Sequence, residues 1–120
     1  WQAPKNSSLN ELEKHYTVAS VKYGFNIKVP VDVINELGYR LLQTTQLPDA
    51  INVLKRAIEL YPDSPRTVFT YGNLAAAFEK SKDLDQARKS YESGLQLAIK
   101  TNNPQMQQSF QEEIKRLSKL

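Results

Sequence analysis

The most constraining feature of the sequence is a spacing of small and large apolar residues that occurs twice between residues 31 and 101. Small residues let two helices approach closely and large residues fill the space between them, so the spacing predicts pairs of packed helices. Counted from Val31 as position 1, the first copy fills positions 4, 7, 8, 11, 20, 24, 27 and 32 with Ile34, Leu37, Gly38, Leu41, Ala50, Leu54, Ala57 and Pro62. Counted from Val68, the second copy fills the first seven of these positions with Tyr71, Leu74, Ala75, Phe78, Ala87, Tyr91 and Gly94, and Ile99 stands in place of the proline.

Helix-starting and helix-stopping residues divide the chain into six predicted helices, with no strand predicted after residue 30. Ser8 with Glu11 matches a capping box, and Gly24 can end the first helix by adopting a positive φ. Because the breaks between the later helices are short, we expect those helices to form antiparallel hairpins. The breaks lie at Thr44–Leu47, Pro62, Ser64-Pro65, Ser81–Asp83 and Thr101–Pro104.

The second copy also fits a different register. The separation of Gly38 and Gly72 is 34 residues, whereas that of Ala50 and Ala87 is 37 residues. The difference predicts about one additional turn in the first helix of the second hairpin.

The spacing of the first copy resembles that of the tetratricopeptide repeat, with Ile, Leu and Leu in place of the family's Trp, Tyr and Phe. The resemblance implies an all-α fold, in which antiparallel hairpins stack as a short right-handed α-solenoid. We therefore expect an N-terminal linker and docking helix over residues 1–30, two repeat hairpins over 31–101, and a C-terminal capping helix over 102–120.

The same resemblance implies that the first helix of each hairpin faces a groove that binds protein or peptide. The groove positions would be Asp32, Asn35, Tyr39, Leu42, Phe69, Gly72, Ala76 and Glu79, with Asn73 adjacent. Asn35, Tyr39 and Asn73 could hydrogen-bond an extended peptide, and Phe69 could contact an apolar side chain. These residues could equally be plain surface, or lie under a neighbouring domain. A lysine–asparagine clamp for chaperone tails is not expected, because Asn35 and Tyr39 replace the required residues.

The order of segments over residues 9–64 resembles the C-terminal extension of bacterial enterochelin-esterase-like α/β-hydrolases. The likeness rests on Leu12, His15-Tyr16, Tyr23-Gly24, Asn35, Gly38-Tyr39 and Leu41-Leu42, with a proline-containing connector between the two halves. It implies that a serine hydrolase domain precedes this chain in the parent protein. Tyr16, Tyr23 and Phe25 would then be candidates for packing on that domain.

The composition argues against several classes of function for this chain. There is no cysteine and only one histidine, so we expect no metal site and no thiol chemistry. No nucleophile elbow or phosphate-binding glycine loop is present, and we expect neither catalytic residues nor a cofactor. The net charge of +3 comes from interspersed residues, which favours neither nucleic acid nor membrane.

We therefore expect an interaction module that binds a peptide or its own upstream domain, or that forms a homodimer. A self-contained hydrolase and a basic RNA-binding helical repeat are the alternatives. The absence of cysteine is compatible with both the bacterial cytoplasm and the periplasm.

Overall fold

The computed structural model describes the backbone of residues 8–23 and 29–120, and it contains six helices over this part of the chain. No strand occurs among the described residues, in agreement with the predicted all-α class. The helices are α1 (Leu9–Tyr23), α2 (Val31–Gln43), α3 (Leu47–Leu60), α4 (Thr67–Lys80), α5 (Leu84–Lys100) and α6 (Pro104–Ser118).

The first hairpin, α2 with α3, is held by the small residues that the spacing singled out. A Cβ atom added at Gly38 would lie 2.5 Å from Cδ2 of Leu54, so only glycine leaves room for this leucine. Leu54 is fully buried, and so are Ala50 and Ala57 on the same helix, α3. The prediction that the small residues Gly38, Ala50 and Ala57 let α2 and α3 pack closely is therefore confirmed.

The second hairpin, α4 with α5, repeats the arrangement in the later of the two registers. Ala75 and Ala87 are fully buried, and Tyr91 packs in the same apolar cluster. The prediction of an additional turn in the first helix of this hairpin is wrong, because α4 has 14 residues and α2 has 13. The extra residues lie in the connection before α4, where the amides of residues 67, 68 and 69 each bond to the carbonyl three residues earlier.

That connection contains Ser64 and Pro65, a sequence that predicts an N-cap serine followed by proline at the first helical position. Helix α4 begins at Thr67, and its N-cap residue, Arg66, makes no side-chain cap. The Ser64 hydroxyl instead accepts a hydrogen bond from the backbone amide of Arg66 at 3.2 Å. Ser64 and Pro65 thus shape a tight turn of the 3₁₀ type ahead of the helix rather than capping it.

Three of the inter-helix turns share one geometry. Each contains a non-glycine residue at positive φ: Thr45 at 61°, Lys82 at 63° and Asn102 at 55°. In each turn the amide of the next residue bonds to the carbonyl five positions back, as in a Schellman motif. That next residue is then the N-cap of the following helix, so one short turn both ends a helix and starts its antiparallel neighbour.

Helices α1 and α6 cover the two ends of the paired hairpins. Leu12 of α1 is fully buried in a cluster with Ile34, Leu37 and Val53. Phe110 of α6 is 2% exposed, and its ring contacts the positions where Gly72 and Gly94 lack a side chain. The described part of the chain is thus a short α-solenoid of stacked helical hairpins, flanked by a helix at each end.

Candidate functional site

The first helices of the two hairpins, α2 and α4, lie side by side and are joined by polar contacts. The Arg66 guanidinium forms two hydrogen bonds with the Asp32 carboxylate, at 3.0 and 3.1 Å. This interaction is charge-assisted and bidentate, which fixes the relative position of the two groups. The carboxylate and its guanidinium hydrogen bonds raise the pKa of Arg66 above its ordinary value.

Asn35, one turn further along α2, uses its side-chain amide on the same neighbour. Its Nδ2 donates to the backbone carbonyl of Arg66 at 3.4 Å, and its Oδ1 accepts from the Thr70 hydroxyl. Thr70 is fully buried. The Asn35 amide therefore holds α2 against α4.

These contacts also set the register between the two helices. Asp32 and its partner Arg66, the N-cap residue of α4, are 34 residues apart, and Asn35 and Thr70 are 35 residues apart. If the same offset is extended by one turn along both helices, we expect Asn73 to lie at the level of Tyr39 and Phe69 at the level of Asn35. Tyr39 is 49% exposed, Phe69 is 43% exposed, and Asn73 is half-buried.

We call the surface formed by Tyr39, Phe69 and Asn73 the A-helix face. The Arg66 guanidinium lies 5.9 Å from the centre of the Phe69 ring, within range of a cation–π interaction. Two large half-exposed rings beside a side-chain amide can contact apolar groups and hydrogen-bond a peptide backbone.

Three other predicted groove positions do not belong to this face. Leu42 is 3% exposed and packs in a cluster with Ala50 and Ala77. The Phe110 ring of α6 lies over Gly72, at 3.6 Å from the place of a Cβ atom. Glu79 is engaged in a polar cluster at the other end of α4.

In that cluster the Glu79 carboxylate joins α4 to both α5 and α6. It accepts a hydrogen bond from the Tyr91 hydroxyl at 2.7 Å and from the Arg116 guanidinium at 2.6 Å. Arg116 also pairs with Glu113 one turn earlier on α6. Burial, and then the hydrogen bond to Glu79, raise the pKa of the Tyr91 phenol.

Sequence reasoning missed three ion pairs that connect one repeat unit to the next. Asp32 and Arg66 are 34 residues apart, whereas Glu79 and Arg116, and likewise Asp63 and Lys100, are 37 residues apart. These separations equal the two repeat lengths read from the sequence. Opposite charges separated by one repeat length are the sequence pattern that could have predicted these ion pairs.

The residues predicted to dock on another domain are only partly described. Tyr16 is half-buried and packs against the cluster that contains Leu12, within this chain. The backbone of Tyr23 ends α1, but its side chain lies outside the described residues, as does all of Phe25.

The described residues contain no group of three or more histidine, cysteine or acidic side chains placed to hold a metal ion. Among the described helices, none combines the length and the apolar character needed to cross a bilayer.

Comparison with known proteins assigns the family. A family model described as Tetratricopeptide repeat matches residues 32–100, which is more than half of the chain. No match was found among curated proteins or among solved structures. The matched range covers α2 to α5, the four helices that form the two hairpins and carry the A-helix face. The chain therefore belongs to the tetratricopeptide repeat family.

Proposed function

We propose that this chain is a non-catalytic interaction module that binds an extended protein segment on its A-helix face. The observation that carries the proposal is the exposure of two large aromatic rings, Tyr39 and Phe69, on adjacent helices of a repeat fold. Aromatic side chains give a large contact area at a small cost in conformational entropy, and they are enriched at protein interfaces. Tetratricopeptide repeats commonly bind proteins or peptides, which agrees with this assignment.

The neighbouring amides divide into two roles under this proposal. The Asn73 side chain makes no hydrogen bond to another described residue, so its amide can donate to and accept from a peptide backbone. Asn35 is instead a positioning residue, because its amide is occupied by Thr70 and the Arg66 carbonyl. We expect the peptide to lie across Tyr39, Asn73 and Phe69, with an apolar side chain on the Phe69 ring.

The distribution of charge favours a protein partner over RNA. RNA binding by a helical repeat requires a continuous run of free basic side chains that can reach phosphates. Here a carboxylate lies beside most arginines and beside Lys100, so these basic side chains are not free to form such a run. The pairs are Arg56 with Glu13 and Glu59, Arg66 with Asp32, Arg88 with Glu92, Lys100 with Asp63, and Arg116 with Glu79 and Glu113.

Peptide selection on the full chain tests the proposal. Peptides displayed on phage are selected against the wild-type protein, and their affinity is then measured for the double variant Tyr39→Ala, Phe69→Ala. We expect a loss of about tenfold or more, because each truncation removes a large apolar contact. Asn35→Ala is a poor probe, since it would also loosen α2 from α4.

Leu84→Ala is the matched control, because Leu84 is 40% exposed but lies on α5. Equal affinity of the double variant and the wild type would refute the proposed face, as would an equal loss in the control. Sedimentation of the wild-type protein without peptide distinguishes peptide binding from a homodimer that uses the same surface.

The parent hydrolase stays a prediction that rests on the sequence resemblance over residues 9–64. Under this hypothesis the candidate contacts with the preceding domain are Tyr16, Tyr23 and Phe25, and Tyr16 would use the part of its side chain that the Leu12 cluster leaves exposed. The reading frame upstream of Trp1 tests it directly. A domain with a GxSxG nucleophile motif would support the hypothesis, and any unrelated domain would refute it.

A further inference from the structure

A cleft of about 490 Å³ lies between the start of α1 and the first half of α3. Its volume is within the range of pockets that hold a small ligand or a few side chains. None of its residues belongs to the A-helix face, so what it binds does not depend on the function proposed above. We call it the α1–α3 cleft, and it is lined by Ser8, Leu9, Asn10, Leu41, Gln46, Asp49, Asn52 and Val53.

The lining combines apolar groups with a polar rim. Leu9 and Leu41 are half-buried, and Val53 is 6% exposed, so these three side chains offer a partly covered apolar surface. Asn10 and Asn52 are exposed and add side-chain amides, which can both donate to and accept from a peptide backbone.

The described lining of the cleft carries a single charge. Asp49 is the only ionisable side chain among the described lining residues, and it is exposed. No ion pair to Asp49 is recorded within the described residues, in contrast to Asp32 and Asp63, which pair with Arg66 and Lys100. Asp49 lies in the first turn of α3, at the rim of the cleft.

We infer that the α1–α3 cleft binds an extended protein segment in which a lysine or arginine adjoins an aliphatic residue. The aliphatic side chain would pack on Leu9, Leu41 and Val53, and the basic group would pair with the Asp49 carboxylate. The asparagines would hydrogen-bond the segment's backbone. Complementary charge selects this partner over an acidic or a purely apolar segment.

Titration of the full chain with a blocked peptide of sequence Ala-Leu-Lys-Leu-Ala tests the inference. Binding is followed by NMR through the backbone amide resonances, and the same peptide with glutamine in place of lysine serves as the ligand control. We expect the lysine peptide to shift the amides of Asn10, Asp49 and Asn52, and to bind more weakly as salt is raised.

Two variants locate the charge effect. Asp49→Asn is expected to weaken the lysine peptide about two- to fivefold, the range of a solvent-exposed ion pair, and to leave the glutamine peptide unchanged. Asn52→Arg places a cation one turn away on α3, so it should compete with the peptide for Asp49. Asp85→Asn is the matched control, because Asp85 is an acidic residue in the first turn of α5 and is remote from the cleft.

Each outcome decides the inference. Shifts confined to the cleft that depend on Asp49 and on the lysine support it. Shifts at Tyr39 and Phe69 instead, equal binding of the two peptides, equal effects of Asp49→Asn and Asp85→Asn, or no shift at all would overturn it.

Discussion

At the scale of single residues, three glycines lie within helices, and they differ in how much space is available for a side chain. Gly38 faces Leu54 so closely that an added Cβ atom would lie 2.5 Å from Cδ2 and 2.8 Å from Cγ. At Gly72 the nearest atom to such a Cβ is Cε1 of Phe110, at an ordinary contact distance of 3.6 Å. A methyl group is therefore excluded at one position and accommodated at the other.

Alanine substitutions at these two glycines should change stability in opposite directions. Gly38→Ala should lower the free energy of unfolding by about 1 kcal/mol, because overpacking against buried Leu54 outweighs the gain in helix propensity. Gly72→Ala should raise it by about 0.5–1 kcal/mol, since only the propensity changes. Urea unfolding followed by circular dichroism measures both, and shifts of the same sign would contradict the contacts described here.

At the scale of helices, three N-caps of similar backbone geometry differ in what their side chains do. Asp83 and Asn103 accept hydrogen bonds from the backbone amides of Gln86 and Met106. Gln46, at the start of α3, has φ −84° and ψ 66°, close to the −95° and 77° of Asp83, but it makes no cap. The longer glutamine side chain is a poor substitute for asparagine or aspartate at this position.

Gln46→Asn should therefore stabilise the protein by about 1 kcal/mol, by supplying an acceptor for the amide of Asp49. Asn is chosen so that no charge is added beside the α1–α3 cleft. Asp83→Ala is the reciprocal test and should cost about 1 kcal/mol. Thermal unfolding of both variants is the measurement, and an unchanged Gln46→Asn midpoint would count against the cap.

The helices were predictable because their determinants are local, but the contacts between repeats were not. Small residues at fixed spacing predicted the hairpins, since Gly38 and the Leu54 side chain that packs against it belong to one repeat. The groove was only partly predictable. Leu42 was assigned to it by position, yet α4 covers this side chain with Ala77. The partners of Asn35 likewise depend on how one repeat is rotated against the next, which the spacing within a repeat does not determine.

At the scale of the whole molecule, buried or half-buried tyrosines from both hairpins share one electrostatic property. Burial is the largest cause that raises the pKa of Tyr61, Tyr71 and Tyr91 above the ordinary value. Nearby acidic groups add to it, Asp63 at Tyr71 and Glu79 at Tyr91. The folded protein therefore holds these phenolic protons more tightly than the unfolded chain does.

Stability should therefore be lost in alkali. A raised folded-state pKa leaves the contribution intact below the unfolded value near 10, and removes it as the pH rises towards the folded value. We expect the free energy of unfolding to fall by about 1 kcal/mol per pH unit for Tyr91 in this window. Urea unfolding from about pH 8 to about pH 11 should show a shallower decline in Tyr91→Phe than in the wild type.

Tyr39→Phe, which removes an exposed phenol, is the control for that experiment. The chemical change is the same as in Tyr91→Phe, but the Tyr39 side chain is 49% exposed. An equal flattening in both variants would show that the effect does not come from burial.

The contacts that join the two hairpins differ in how strongly they resist a small displacement. Leu54, fully buried, packs in the same cluster as Val68 and Leu74 of the next hairpin, where a small displacement forfeits much of the dispersion energy. Between α2 and α4 the charged partners Asp32 and Arg66 are both exposed, so water compensates when they separate. The packing around Leu54 therefore resists a relative movement of the two hairpins more strongly than the exposed Asp32–Arg66 pair does.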